Sequence, residues 1–166
     1  FKIATSALKK VLKKYPQARL VIYGLLNTED FFEEVSEQVW RVDLLNADDY
    51  YRALASFDIS IAPLEKNIFN DAKSNIKWIE ASIFGVPSVC SPAAAFNNAI
   101  TQGINGFLAE NDNEWYEYLA TLVEHPELRK KMGEQAKLYA LENYHHDVIA
   151  KRSLATIFPP VTNNQF

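Results

Sequence analysis

Apolar and polar positions alternate between two rhythms along this chain. From Ile3 to Tyr15 the apolar residues Ile3, Ala7, Leu8, Val11 and Leu12 recur at helical spacing with lysines on the other face. That pattern predicts an amphipathic helix, ended by Pro16. The next run, Arg19-Leu20-Val21-Ile22-Tyr23, is short and apolar and stops at Gly24. Its all-apolar character predicts a buried parallel strand. The change of rhythm then repeats. Thr28 to Gln38 predicts a short helix with an acidic start, capped by Asn27 or Thr28, and Val39 to Val42 a second strand. Asn46 predicts the N-cap of a helix over Ala47 to Phe57, and Asp58 to Ala62 a third strand ended by Pro63. A polar loop, Glu65 to Lys73, precedes a helix from Ile76 to Phe84 that starts at Ser74 or Asn75 and stops at Gly85. Val86 to Cys90 predicts a fourth strand, Pro92 to Gln102 a short helix, and Phe107 to Ala109 an edge strand after the turn Gly103-Ile104-Asn105-Gly106. Three helices follow, over Asp112 to Glu124, Pro126 to Asn143 and Asp147 to Phe158, before Pro159-Pro160 and a tail over 161–166.

Strand and helix alternate at least four times, which predicts an α/β domain over 1–160: a Rossmann-like, mostly parallel sheet with helices on both faces and a helical C-terminus. Ligands of such sheets bind beyond the carboxyl ends of the strands. The loops after Tyr23, Val42, Ala62 and Cys90 are therefore the expected lining of any site.

Charge and cysteine content narrow the function. The chain carries 17 basic and 21 acidic residues, a net −4, so binding to nucleic acid through backbone charge is not expected. A phosphate ligand must be held by a local arrangement. The single cysteine, Cys90, excludes a disulfide within the chain and suits a reducing, cytoplasmic compartment. Cys90 has no acidifying neighbour and reads as a packing residue, as do Trp78 and Trp115. His145-His146 reads as no metal pair, because adjacent helical residues do not face each other and no third ligand is near. Phe1 is not an initiator Met, and the sequence runs straight into helical pattern, which predicts a piece of a longer chain.

Candidate chemistry concentrates between Asp71 and Val89. Lys73, Lys77 and Glu80 are spaced by four and three, so one continuous helix would carry them as a polar stripe beside an apolar stripe of Ile76, Ile79 and Ile83. The start of a helix that follows a strand offers free N–H groups near Ser74 and Asn75 to an anion. Two lysines would strengthen that site, and Glu80, further in, would accept bonds from ligand hydroxyls. The same spacing is equally that of a solvated helix face with internal ion pairs.

Several stretches in order resemble the C-terminal domain of GT-B fold glycosyltransferases of family four, the group 1 glycosyltransferases. They are Leu20-Val21-Ile22-Tyr23-Gly24, Ala53 to Leu64, the helix with Glu80 followed by Gly85-Val86-Pro87 and a strand, Asn105-Gly106-Phe107-Leu108, and the trailing helices with Leu128-Arg129 and Met132-Gly133. The resemblance implies that Glu80 binds the ribose hydroxyls of a nucleotide-sugar donor. It implies that Trp40 and Val42 lie at the nucleobase wall and that Ser91 lies on a loop facing the phosphates. The family's first Glu would fall at Ala72, beside Asp71, and its Gly-rich loop is replaced by Asn67-Ile68-Phe69-Asn70-Asp71. Lys-Ser-Asn-x-Lys at this place resembles bacterial polysaccharide enzymes, which implies that Lys73 or Lys77 serves the diphosphate. The resemblance also implies a retaining transferase that needs no bound metal or other cofactor. The domain's first strand, a basic residue near it and an acceptor-binding domain are expected upstream of Phe1, and with them any contact with the inner face of a membrane. The isolated chain is accordingly expected to be inactive in transfer to a glycan or lipid-linked acceptor. A non-catalytic binding domain, or an epimerase or phosphorylase of similar fold, are the alternatives.

Overall fold

Among the described residues five short strands carry the fold, and each is paired in parallel with its neighbour. The computed structural model describes residues 1–26, 28 and 31–158. Strands β1 (Leu20–Tyr23) and β2 (Val39–Val42) form one sheet, and β3 (Ser60–Ala62), β4 (Ser88–Cys90) and β5 (Phe107–Leu108) form a second, in that spatial order. The helices are α1 (Thr5–Lys14), α2 (Ala47–Ala55), α3 (Ile68–Asp71), α4 (Ile76–Ile83), α5 (Ala94–Asn97), α6 (Asp112–Glu124), α7 (Pro126–Tyr144) and α8 (His146–Ile157). None of them is long and apolar enough to cross a membrane. The expected α/β class and parallel pairing hold. The division into two sheets lies outside what periodicity reports, since burial of a strand does not say which strand lies beside it.

Side chains alternate across the strands, and helices cover both faces. Val89 and Phe107 join a core with α1, α6 and Met132, whereas Ala62 and Cys90 join Trp78, α5, Ala136 and Ala140 on the other side. On the first face α1 packs on α6, fastened by Lys10–Asp112 at 2.6 Å, Lys14–Glu124 at 3.0 Å and a hydrogen bond from Tyr15 to Glu124. On the second face α4 packs on α7, where Gly85 and Gly133 bring two backbones together.

Several sequence expectations need correction. The helix expected over Thr28 to Gln38 is a 3-10 segment, Glu33–Gln38, broken at Val35 (φ −134°, ψ 25°). Burying both Phe32 and Val35 in the core overrides helical geometry there. Thr28 does not cap it; the side chain is buried and its hydroxyl accepts from Arg41 at 3.1 Å, while Asn27 lies outside the described residues. The polar loop contains α3, which Asn67 caps by accepting from the Asn70 N–H at 2.8 Å. The helix expected from Pro92 to Gln102 shrinks to the single turn of α5. Pro159-Pro160 and the tail over 161–166 lie outside the described residues.

Trp78 and Trp115 are fully buried, as expected of packing residues. Cys90 is also fully buried, and burial alone pushes its thiol well above the usual range. A thiol reagent should therefore leave Cys90 intact in the native chain and modify it only after denaturation; rapid labelling of the folded protein contradicts this.

Candidate functional site

Three polar side chains meet where α2 and α4 lie side by side. Asn46 caps α2 directly after β2, its side chain accepting from the Asp49 N–H at 3.0 Å, which sets Tyr50 in the first turn. Lys77 and Glu80 are three apart on α4 and share a face. The Tyr50 hydroxyl donates to Glu80 Oε2 at 2.9 Å. Lys77 Nζ donates to the Tyr50 oxygen at 3.0 Å and to the same Oε2 at 3.3 Å. The ammonium also lies 4.9 Å from the centre of the Tyr50 ring. Glu80 keeps only 15% of its side chain exposed against 60% for Lys77, so the carboxylate is held in place and the cation remains reachable.

Charge states follow from these contacts. Burial lowers the affinity of Lys77 for its proton, but its contacts with Tyr50 and Glu80 outweigh it and hold the amine above its usual value. The Tyr50 phenol is raised chiefly by burial, with the Glu80 bond adding to this against the opposing Lys77 contact. At neutral pH Lys77 is therefore a cation and Tyr50 a neutral donor. Two donors occupy Oε2, and among the described residues none reaches Oε1. Glu80 Oε1 is therefore an oriented acceptor without a donor among the described residues.

The start of α4 supplies the complementary half. Among the described residues no acceptor is found for the N–H groups of Ser74, Asn75, Ile76 and Lys77. These are the orphan donors of a helix N-terminus, and they favour an anion. Ser74 is exposed there. Asn75 is the N-cap, but its side chain makes no capping bond; it is buried and donates to the Tyr144 hydroxyl at 2.7 Å, which anchors the helix start to α7.

The stripe expected from sequence is only partly formed. Lys73 is not on α4. It follows the short α3 in a turn, with its ammonium 4.7 Å from the centre of the Phe69 ring, because a four-residue spacing aligns side chains only within one unbroken helix. Asp71 ends α3 and is exposed. The buried face of α4 is Trp78, Ala81 and Ser82, turned toward α7, while Ile76 and Ile83 are exposed. Ser91 is buried and its Oγ accepts from the Leu64 N–H at 2.9 Å, so it fastens the loop after β3 and is not displayed on the surface. Val42 ends β2 half-buried, and Trp40 on the same face is exposed. Neither is bonded to the triad among the described residues. Tyr50 was not singled out by sequence; its signal is a phenol one turn into a helix that begins at the carboxyl end of a strand.

His145 and His146 do approach each other, with ring centres 4.1 Å apart, because His145 stands outside the helix as the N-cap of α8 (φ −61°, ψ 141°). Asp147 adds the third group, at 3.5 and 3.2 Å, so the sequence reading that no third ligand lies near is corrected. All three are exposed.

Comparisons with known proteins bear on the family and the fold. Residues 1–125 match the family described as Glycosyl transferases group 1. The trehalose synthase of Pyrococcus horikoshii is 26% identical over 152 residues, which cover 82% of this chain and 35% of that protein. A variant of TarM from S. aureus, solved in complex with fondaparinux, α-GlcNAc-glycerol and UDP, superposes with a TM-score of 0.73 at 20% identity, over 92% of this chain and 31% of that one. The C-terminal domain of the group 1 glycosyl transferase LpcC from Francisella tularensis gives 0.68 at 21% identity, over 87% and 81%. The two structures speak for the fold alone. The chain spans about a third of the trehalose synthase and of TarM, and most of the LpcC domain. With most of its length inside the family match, this chain belongs to the group 1 glycosyltransferases.

Proposed function

We propose that the chain is the donor-binding part of a glycosyltransferase. It would hold a nucleoside diphosphate sugar while another part of the enzyme presents a glycan or lipid-linked acceptor. One observation carries the reading: a carboxylate with one oxygen free and a cation lie within two turns of four N–H groups that find no acceptor among the described residues. Glu80 Oε1 suits the ribose hydroxyls, and Lys77 with the helix start suits the diphosphate. Catalysis is then positioning, together with stabilisation of the departing diphosphate by fixed donors and the lysine. No step of that scheme calls for a metal. Transfer needs an acceptor site, so the isolated chain binds donor without turning it over. A second reading, a binding domain without turnover in the whole protein, draws on Ala72, which puts a methyl group where the family's first Glu is expected.

Thermal denaturation with UDP-, GDP- and dTDP-sugars tests the reading. A ligand at a hundred times its Kd stabilises the native state by about 2.7 kcal/mol, which for a domain of this size raises Tm by about 5–10 °C. One of the three donor classes should do so in the native chain and fail with Lys77→Ala at moderate concentration. Unchanged melting with all three sinks the proposal.

A further inference from the structure

Three side chains with no part in the donor site converge where α7 ends and α8 begins. His145 Nδ1 lies 3.5 Å from Asp147 Oδ2, and His146 Nε2 lies 3.2 Å from Asp147 Oδ1. The imidazole rings are 4.1 Å apart between centres, and one ligand atom from each residue lies within 4.8 Å of the others. A tetrahedral ion with bonds of about 2.0–2.2 Å keeps neighbouring ligand atoms about 3.3–3.6 Å apart. The two separations are close to that spacing.

Hydrogen bonding alone leaves the arrangement incomplete. His145 caps α8 by accepting the Asp147 N–H at Nδ1, at 3.4 Å. A neutral His145 therefore carries its proton on Nε2 and turns the Nδ1 lone pair toward Asp147. A lone pair beside a carboxylate calls for a positive centre between them, a proton or a metal ion. Among the described residues no lysine or arginine supplies one. Lys151, one turn further on, forms no ion pair with Asp147, and Arg152 donates to the Asn143 carbonyl at 3.2 Å and to its Oδ1 at 2.9 Å. The chain just ahead of the cap is anchored as well, because the Tyr144 hydroxyl accepts from Asn75 at 2.7 Å. The ligands are thus held in place before any ion arrives. The positive end of α8 opposes a cation, but only by about two- to fivefold in affinity.

We propose that His145 Nδ1, His146 Nε2 and the Asp147 carboxylate form a surface site for a divalent first-row transition ion such as zinc, with a fourth position left to water. Two imidazoles and a carboxylate suit zinc, copper or nickel; magnesium and calcium take oxygen ligands. The effect of the ion is structural and does not depend on the donor-binding reading. Its ligands are the N-cap and the first two residues of α8, whose conformation must be fixed before the helix can propagate. Helix α8 buries none of its own residues, so packing does little to hold its first turn and an ion there does more.

The test titrates untagged residues 1–166 with zinc by calorimetry, and with cobalt(II), whose visible absorption reports the ligand set. One ion per chain is expected. His145→Asn keeps a capping acceptor but no imidazole, and Asp147→Asn keeps the shape of the side chain. Each should weaken zinc binding by about tenfold or more, since even partners outside a ligand set cost that much. His125→Ala is the control: His125 stands at the far end of α7, about 30 Å away, and its loss should leave binding unchanged. Zinc should also slow amide exchange in α8 by about tenfold in the native chain and not in His145→Asn. No uptake at about 1 mM zinc, uptake that neither variant alters, or magnesium bound as tightly as zinc overturns the proposal. Zinc uptake that leaves exchange in α8 unchanged overturns it too.

Discussion

Replacing Gly133 by alanine will destabilise the chain by about 3 kcal/mol or more, at the upper end of overpacking changes. A β-carbon there would stand 1.8 Å from the Gly85 carbonyl oxygen and 2.6 Å from its carbon, with nothing but backbone to give way. Gly85 is itself fixed. It ends α4 at φ +73° and its N–H donates to the Ser82 carbonyl at 2.9 Å. Helix α7 must then lift from α4, loosening the contacts of Trp78 with Ala136, Ala140 and the rings of Tyr139 and Tyr144. Domains of this kind have only about 5–15 kcal/mol in total. Gly85→Ala is the useful contrast. Its β-carbon finds ordinary room, 3.9 Å from the nearest atom, so its cost is the left-handed conformation, about 1–2 kcal/mol. Urea denaturation followed by circular dichroism ranks the two; a Gly133→Ala midpoint within error of the parent means the helices do not meet as described.

Glu80→Gln is expected to weaken nucleoside diphosphate binding by about tenfold or more while leaving the fold intact. A hydrogen bond to a charged group contributes about 1.5–3 kcal/mol, and each 1.4 kcal/mol is about a decade of affinity. Glutamine keeps the shape of the side chain and an acceptor for Tyr50, but removes the charge that a ribose hydroxyl would meet. Lys77→Ala should reduce diphosphate binding more than nucleoside binding, and the difference should shrink at high salt. Lys73→Ala should do less, since Lys73 sits in the turn over Phe69 and not on α4. Isothermal titration separates the three variants.

How much of this was legible in the chain depends on how local the cause is. The apolar run Leu20–Tyr23 and the cap at Asn46 announce β1 and α2, and helix α6 occupies the interval expected from its pattern, because each rests on neighbours in sequence. The place of Glu80 on α4, three positions after Lys77, was legible for the same reason. Lys73 was misplaced because spacing arguments assume an unbroken helix, and the Asn67 cap inserts a separate turn of helix ahead of α4. Tyr50 escaped because it meets Glu80 across thirty positions of sequence. His145 escaped because a cap residue leaves the helical rotation that keeps neighbours apart. The split between β1 and β3 is a fact about which strands are neighbours, which the local pattern of apolar positions does not encode.

The ribose contact is best tested by a two-by-two titration. The native chain and Glu80→Gln are each titrated by calorimetry with the preferred nucleoside diphosphate and with its 2′,3′-dideoxy counterpart, and the coupling is read from the cycle. A contact from Glu80 to the ribose hydroxyls predicts that the substitution costs about tenfold or more with the ribonucleotide and almost nothing with the dideoxy ligand. An equal loss with both ligands, or no loss with either, contradicts it.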